Sequence, residues 1–510
     1  MDAISSQFAR RNSVPGKKVG HLIIGSGVAG ILMAIKLRER GDQDFVILEK
    51  ADRLGGTWRD NRYPGVACDV AAHLYVYSFA PNPAWRTRYA RGADIWNYYH
   101  QVARRYGVLP HIRYRHEVVS AEFQDGTWRV ECCDGTVYVA DYVIAATGRL
   151  HHPKLPDIAG AETFAGTSFH TARWDETTSL AGKRVGLIGT GSTATQIVAS
   201  SAAAVDRLTI FQRTPQWVYT LPNTPIPWWR RALFRLSPGR LKRYYLQLQH
   251  ETEQRGQATT GIPEARLARD QVCYNAVAAI RDPVLRAKLT PDYEVGCKRL
   301  VFSPDFYEAV QHRNVDVVTD AIERIEPRGI VTADGKVHEL DVLVYATGFD
   351  AHAYLRPMKA TGLDGVTLDQ LWAEFPQTYR SMSVPQLPNF FIINGPYSPG
   401  GTASVVGIVE IQVNYILQLL DRAKRDKVMI VPKTEAAMAW LENVRDRARN
   451  TLWGTGGCKS WYLDHTGTPV IDPTTLGEFA EVLATPAWQD YLMLPRAATN
   501  GEAASVVPSV

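Results

Sequence analysis

A chain of 510 residues, 45 % hydrophobic and 21 % charged, has the balance of a globular protein of roughly two to four domains, and a disordered chain is excluded. Its net charge of +5 is too small for a nucleic-acid binder, which gathers Lys and Arg on one face.

In chain order, the first eighteen residues are polar and basic and read as a loose arm. Residues 19–24 form an apolar run ending at Gly25, residues 29–40 have helical period, and residues 44–48 form a second run closing at Glu49. Strand, glycine turn, helix and strand make a βαβ unit, whose crossover forces parallel strands. The same order returns at 183–188, 189–194, 195–204 and 208–211. Two such starts about 160 residues apart predict two dinucleotide-binding domains of Rossmann type in an α/β protein. Apolar runs at 142–148 and 343–348 both end in Ala-Thr-Gly, a small turn that lets the backbone approach a neighbour closely. They suit crossing points between domains. The stretch 222–289 is Arg- and Leu-rich with Trp228-Trp229 near its start, and reads as a helical insertion. The expected division is 1–148 for the first part of one domain, 149–348 for the other with its insertion, and 349–510 for the return to the first and a C-terminal loop. The tail at 497–510 is expected to fray. No stretch approaches the ~20 apolar residues that span a bilayer, and the first residues lack the apolar core of a signal peptide. Six cysteines without a C-x-x-C pair are too sparse for a disulfide framework. A reducing, cytoplasmic setting without a metal centre is the expectation.

Gly25-Ser-Gly27-Val-Ala-Gly30 fits G-x-G-x-x-G in its required place, after a strand and opening a helix. The glycines permit a tight turn and bring a pyrophosphate to the helix N-terminus, where free amides and the dipole favour an anion. Glu49, 24 residues beyond Gly25, stands where an acid grips ribose hydroxyls. A glycine motif alone could be a plain turn; strand, helix and acid together indicate a dinucleotide. Gly189-Thr190-Gly191-Ser192-Thr-Ala194 is the second cradle, and its second strand ends in Arg213-Thr214. An acid there would repel a 2′-phosphate, whereas a guanidinium binds it bidentately, which favours NADPH over NADH. One acid-terminated and one Arg-terminated cradle suggest FAD in the first and NADPH in the second. Flavin supplies oxygen or electron chemistry that side chains lack.

The segments beside the two cradles narrow the class. Gly55-Gly56-Thr57-Trp58, followed by Tyr63-Pro64-Gly65 and Asp69, resembles a signature of the type I Baeyer–Villiger monooxygenases. Phe164, Gly166, His170 and Trp174-Asp175 match that family's fingerprint F-x-G-x-x-x-H-x-x-x-W-[PD]. The resemblance runs from about residue 19 to about residue 462 and is weakest across 222–289. It implies that Gly25, Gly27, Gly30, Glu49, Gly56, Thr57, Trp58 and Tyr75 touch FAD. It implies NADPH contacts from Gly189, Thr190, Gly191, Ser192, Gln196, Arg213 and Thr214, with Lys298 at the 2′-phosphate. Cys297-Lys298-Arg299-Leu300 looks like the segment carrying the family's active-site arginine, so Arg299 is the catalytic candidate and Asp69 its partner. Ser460-Trp461-Tyr462 looks like the mobile loop that folds over the nicotinamide cofactor, and His170 is expected to position domains. The activity implied is NADPH- and O2-dependent oxidation of a small-molecule ketone to an ester or lactone through a flavin C4a-peroxide.

Other readings remain open at this point. N- and S-oxygenating flavin-containing monooxygenases share the cofactor logic, but their fingerprint usually ends without the Trp174-Asp175 pair. A disulfide reductase needs a redox cysteine pair, and a non-catalytic NADPH sensor has no use for Arg299 beside Asp69. Trp228-Trp229-Arg-Arg suits a membrane surface or a helix of the substrate domain. The second is preferred, because no sustained amphipathic run follows.

Overall fold

Two sheets with parallel strands at their centres organise the chain, and each has one glycine turn at its middle. The computed structural model describes residues 16–260, 262–401 and 403–496. The expected tail at 497–510 and most of the N-terminal arm lie outside these residues, but Lys17 and Lys18 already belong to the first strand.

That strand, β1 (Lys17–Ile24), is followed by helix α1 (Val28–Glu39) and strand β2 (Phe45–Glu49). β1 and β2 are parallel, with Ile24 opposite Leu48. On its other side β1 pairs in parallel with Val137–Ala145, which places Ile24 opposite Ala145. Ile31, Leu32, Met33, Ala34 and Ile35 are all fully buried, so α1 is covered on every side. Each such Ile, Leu or Met side chain contributes roughly 1.5–3 kcal/mol on leaving water, in keeping with a helix that is apolar all round over these residues. Two late strands, Lys359–Thr361 and Phe390–Ile392, complete this sheet, so the chain returns to it after building the second.

The second sheet holds β3 (Arg184–Ile188), helix α2 (Ser192–Ser201) and β4 (Arg207–Phe211). Its order is Val315–Val318, β4, β3, Val342–Tyr345 and Thr167–His170, all parallel. Both layouts are Rossmann-like, as the repeated βαβ pattern predicts. The insertion is helical as expected: α3 (Trp228–Leu236), α4 (Pro238–Thr260), Pro263–Ala278 and Pro283–Leu289.

The two Ala-Thr-Gly segments do lie where backbones meet closely. The Ala146 amide donates to Ile24 and the Ala346 amide to Ile188, each at 2.8 Å. A Cβ on Gly25 would stand 2.6 Å from the Ala146 carbonyl oxygen, and one on Gly189 would stand 2.3 Å from that of Ala346.

The cysteines depart from expectation. Cys297 and Cys458, 161 residues apart, form a disulfide. Spacing gives no sign of it, because the fold alone brings the two segments together. Among the described residues no helix is long and apolar enough to cross a membrane.

Candidate functional site

The first cradle is built from backbone. Gly25 turns the chain out of β1 with φ +103°, and a Cβ on Gly30 would stand 1.9 Å from the Gly25 carbonyl oxygen. Gly27 caps α1, and a Cβ on Gly56 would come within 3.2 Å of its Cα. Bare backbone at the positive end of α1 is what a pyrophosphate requires, so these residues fit a dinucleotide. Glu49 closes β2 and is buried. Its Oε2 accepts from the Ser26 amide (2.9 Å) and hydroxyl (2.7 Å), and its Oε1 from the Ala51 amide (3.0 Å) and Arg59 (2.7 Å). Burial pushes this carboxyl up, but Arg59 and the Ser26 and Ala51 donors outweigh it and hold it below the usual carboxylate range. A carboxylate has about four acceptor positions, and all are taken. A ribose hydroxyl would have to take the place of one of these donors.

Thr57 and Trp58 open a short helix beside Gly56, and the Trp58 indole donates to the Tyr75 hydroxyl at 3.2 Å. Burial pushes the Tyr75 phenol far up, so it stays neutral. A cavity of about 410 Å³ opens next to β2, lined by Lys50, Arg59, Arg62, Arg173 and Trp174 among others. It brings the fingerprint tryptophan to the edge of the first cradle. His170 accepts from the Ala172 amide at 3.1 Å and caps the short helix leading to Trp174, a positioning role.

In the second cradle Gly189 has φ +122°, Gly191 caps α2, and a Cβ on Gly191 would meet nothing within 4 Å. Thr190 donates its hydroxyl to the Thr214 carbonyl at 2.9 Å, fixing the turn to the end of β4. Ser192 is the first residue of α2. Gln196 ties α2 to the segment after the first cradle, accepting from the Tyr63 hydroxyl (2.9 Å) and donating to the Ala67 carbonyl (3.0 Å). Arg213 is exposed beyond β4. Burial depresses the Lys298 ammonium; Asp292 opposes the shift and Arg213 reinforces it. Two cations that repel across the mouth of the cradle fit an added phosphate on the nucleotide.

Between the cradles, Arg299 Nη2 donates to Asp69 Oδ2 at 2.6 Å. The Arg299 side chain is 41 % exposed and that of Asp69 21 %, so the pair is open to solvent and is not a sealed bridge. The Asp69 carboxylate raises the guanidinium pKa above its ordinary value, and the neighbouring Tyr462 hydroxyl adds to the rise. Arg299 is therefore a permanent positive charge held from two sides. Trp461 is 39 % exposed; its ring packs on Tyr462 at 4.2 Å, and its carbonyl accepts from His352 at 2.9 Å. The Cys297–Cys458 bond joins the two segments, standing two residues before Arg299 and three before Trp461. Gly456 makes room for it, since a Cβ there would stand 2.6 Å from Cys297 Sγ.

Sequence reasoning misses Ser26 and Arg59 as partners of Glu49, Tyr462 as a partner of Arg299, and the disulfide. An alternation of S-W-Y carries no sign of which ring turns inward. Arg59, in contrast, is the third residue of a short helix that the G-G-T-W motif already locates.

The family profile of pyridine nucleotide-disulphide oxidoreductases matches residues 22–237, a stretch holding both cradles. A Baeyer-Villiger monooxygenase of Streptomyces coelicolor is 42 % identical over 463 residues, covering 90 % of this chain and 89 % of its own. An uncharacterized monooxygenase of Mycobacterium tuberculosis is 43 % identical over 472 residues, covering 92 % of this chain and 95 % of its own. Among solved structures, a closed crystal structure of cyclohexanone monooxygenase superposes with TM-score 0.85 at 31 % identity, covering 94 % of this chain and 100 % of the other. An oxidized steroid monooxygenase bound to NADP gives 0.84 at 28 % identity with the same coverage. Likeness at this level over nearly the whole length, around two dinucleotide cradles and an Arg–Asp pair, makes the chain a member of the type I Baeyer–Villiger monooxygenases, which use FAD and NADPH.

Proposed function

We propose that the enzyme oxidises a small-molecule ketone to an ester or lactone in the cytoplasm, with Arg299 and Asp69 as its catalytic residues. The observation that supports this is the solvent-open 2.6 Å contact between them, joining the segment after the first cradle to the one after the insertion. Bound FAD, reduced by NADPH, supplies the activated oxygen, one atom of which enters the product beside the carbonyl while the other leaves as water.

The protein's share is binding, orientation and charge. Gly25, Gly27, Gly30, Glu49, Gly56, Thr57, Trp58 and Tyr75 would hold FAD, with Glu49 exchanging one of its donors for ribose. Gly189, Thr190, Gly191, Ser192, Gln196 and Thr214 would hold NADPH, with Arg213 and Lys298 at its 2′-phosphate. The corresponding domain division is 1–148 with 349–510 for FAD and 149–348 for NADPH. Arg299 presents a fixed guanidinium to the negative charge that develops on the carbonyl oxygen, and no proton has to move to create it. Asp69 aims that guanidinium and tempers its field. Trp461 covers the nicotinamide side and excludes water.

The test is product analysis on the purified, FAD-loaded enzyme with NADPH, oxygen and a panel of cyclic, linear, aromatic and steroid ketones. A lactone or ester formed in step with NADPH consumption supports the reading. Oxidation of a thioether or amine with every ketone inert would replace it.

A further inference from the structure

Trp228 and Trp229, which open α3, take no part in the site described above. They are 73 % and 56 % exposed, and Leu236 at the other end of the helix is 85 % exposed. Trp228, Ala232 and Leu236 follow at i, i+4 and i+8, so they share one row on the outer face. The opposite face is anchored: buried Phe234 stacks on Tyr244 at 5.3 Å and meets the edge of the His73 ring at 5.4 Å. The outer row is therefore held out in solvent by a fixed inner face. Two large aromatics and a leucine held this way form an apolar patch that water disfavours.

What surrounds the patch is of one sign. Arg230, Arg231, Arg235, Arg240, Lys242 and Arg243 lie on α3 and the first turns of α4, and no Asp or Glu occurs between Asp206 and Glu251. The first acid after them, Glu251, is already paired with Arg88. Among the described residues none of the six cations enters an ion pair, while Arg230 lies over the Tyr244 ring at 4.4 Å. Arg235, Arg240, Lys242 and Arg243 are exposed. The whole chain is only mildly basic, so this concentration is local.

We propose that this face of the insertion docks the enzyme on an anionic phospholipid bilayer. Indole rings favour the boundary between headgroups and acyl chains, where Leu236 enters the apolar side and the cations lie over lipid phosphates. The patch is a row on a nine-residue helix, so it rests on the membrane and does not span it. A nucleic acid would use the cations but offers no apolar phase for Leu236. The sequence-based preference for a plain substrate-domain helix gives way because the outer row of α3 is uncovered, although no amphipathic run follows in α4, where Leu241 and Leu248 are buried. Docking has a consequence for catalysis that rests on the ketone reading: α3 packs on His73, four residues along the chain from Asp69, so an apolar ketone dissolved in lipid would meet the enzyme at the segment that carries Asp69.

The experiment is co-sedimentation of the FAD-loaded enzyme with phosphatidylcholine vesicles and with phosphatidylcholine–phosphatidylglycerol vesicles. The parent should pellet with the anionic vesicles, stay in solution with the neutral ones, and be released by added salt. Trp228→Ser/Trp229→Ser and Arg235→Glu/Arg240→Glu should each weaken binding by roughly tenfold or more. Both should keep flavin absorbance and vesicle-free NADPH oxidation, which shows that they fold. A parent that stays in solution with anionic vesicles overturns the proposal, and so does either double variant binding as the parent does. It is also overturned if the parent is a dimer that Trp228→Ser/Trp229→Ser dissociates, or if an oligonucleotide displaces the vesicles. These outcomes leave the ketone reading intact, since that is scored by product alone.

Discussion

Arg299 and Asp69 are 230 residues apart in the chain and meet through a single 2.6 Å hydrogen bond. One comes from the stretch after the insertion and the other from the stretch after the first βαβ unit, so the contact exists only when both sheets are assembled. Arg299→Ala should still bind FAD and still oxidise NADPH, but form ester or lactone at least about a hundredfold more slowly, since one preorganised charge at such a site is worth roughly 3–4 kcal/mol. Arg299→Lys should recover little, because an ammonium lacks the planar fork that meets Asp69 and a developing oxyanion together. Anaerobic flavin reduction followed by aerobic product analysis separates the two steps. Turnover of Arg299→Ala near the parent rate would move the catalytic charge elsewhere.

Cofactor choice depends on the two cations at the second cradle. Arg213→Ala should raise KM for NADPH by about tenfold to a hundredfold, the worth of a charge-assisted contact of roughly 1.5–3 kcal/mol. KM for NADH should hardly move, because it has no 2′-phosphate. Lys298→Ala should act in the same direction. Equal losses with both nucleotides would make Arg213 merely structural.

How legible was all this before folding? The two βαβ units, both glycine cradles, the helical insertion and the close approach at each Ala-Thr-Gly are local patterns, and local patterns survive in a sequence. Gly25 and Gly189 needed nothing beyond their neighbours to be located. The partners of Glu49 were less visible, since Ser26 and Arg59 act through side chains whose direction is set by packing. Tyr462 and the Cys297–Cys458 bond were not visible, because each contact spans more than 160 residues and depends on how the C-terminal loop closes on the segment before Arg299. The exposed row on α3 was half visible: Trp228-Trp229 stood out, but only the fold shows which face is covered.

Tyr462 supplies the second hold on Arg299 and is itself buried between Trp453 and Trp461. Tyr462→Phe keeps that packing and removes only the hydroxyl. It should lower kcat for the ketone by up to about tenfold, the lower end of the roughly 1.5–3 kcal/mol of a polar contact to a charged group, since Asp69 still holds the guanidinium. KM for NADPH should stay at the parent value. A fall in kcat with more hydrogen peroxide released per NADPH would mark a misaimed Arg299, whereas a parent-like kcat would mean that the hydroxyl contributes nothing to its aim.

The disulfide braces the same corner from outside. Cys297 and Cys458 are both buried, and their bond closes a loop of 161 residues between the Arg299 segment and the loop bearing Trp461. Cross-links over long loops stabilise by about 2–4 kcal/mol, mostly by restricting the unfolded chain. Cys297→Ser and Cys458→Ser should each lower the midpoint of thermal unfolding, and the two changes together should cost little more than one. A dithiol should lower the midpoint of the parent after prolonged exposure, since the buried bond must first open to solvent, and should leave both variants where they are. The functional effect should be a poorer yield of product per NADPH with flavin content unchanged, because Arg299 and Tyr462 lie on the two segments that the bond fastens. The measurements are calorimetry, with and without dithiol, and the ratio of product to NADPH on the same preparations. Variants with the parent midpoint and the parent ratio would show that the bond neither stabilises the fold nor braces the site.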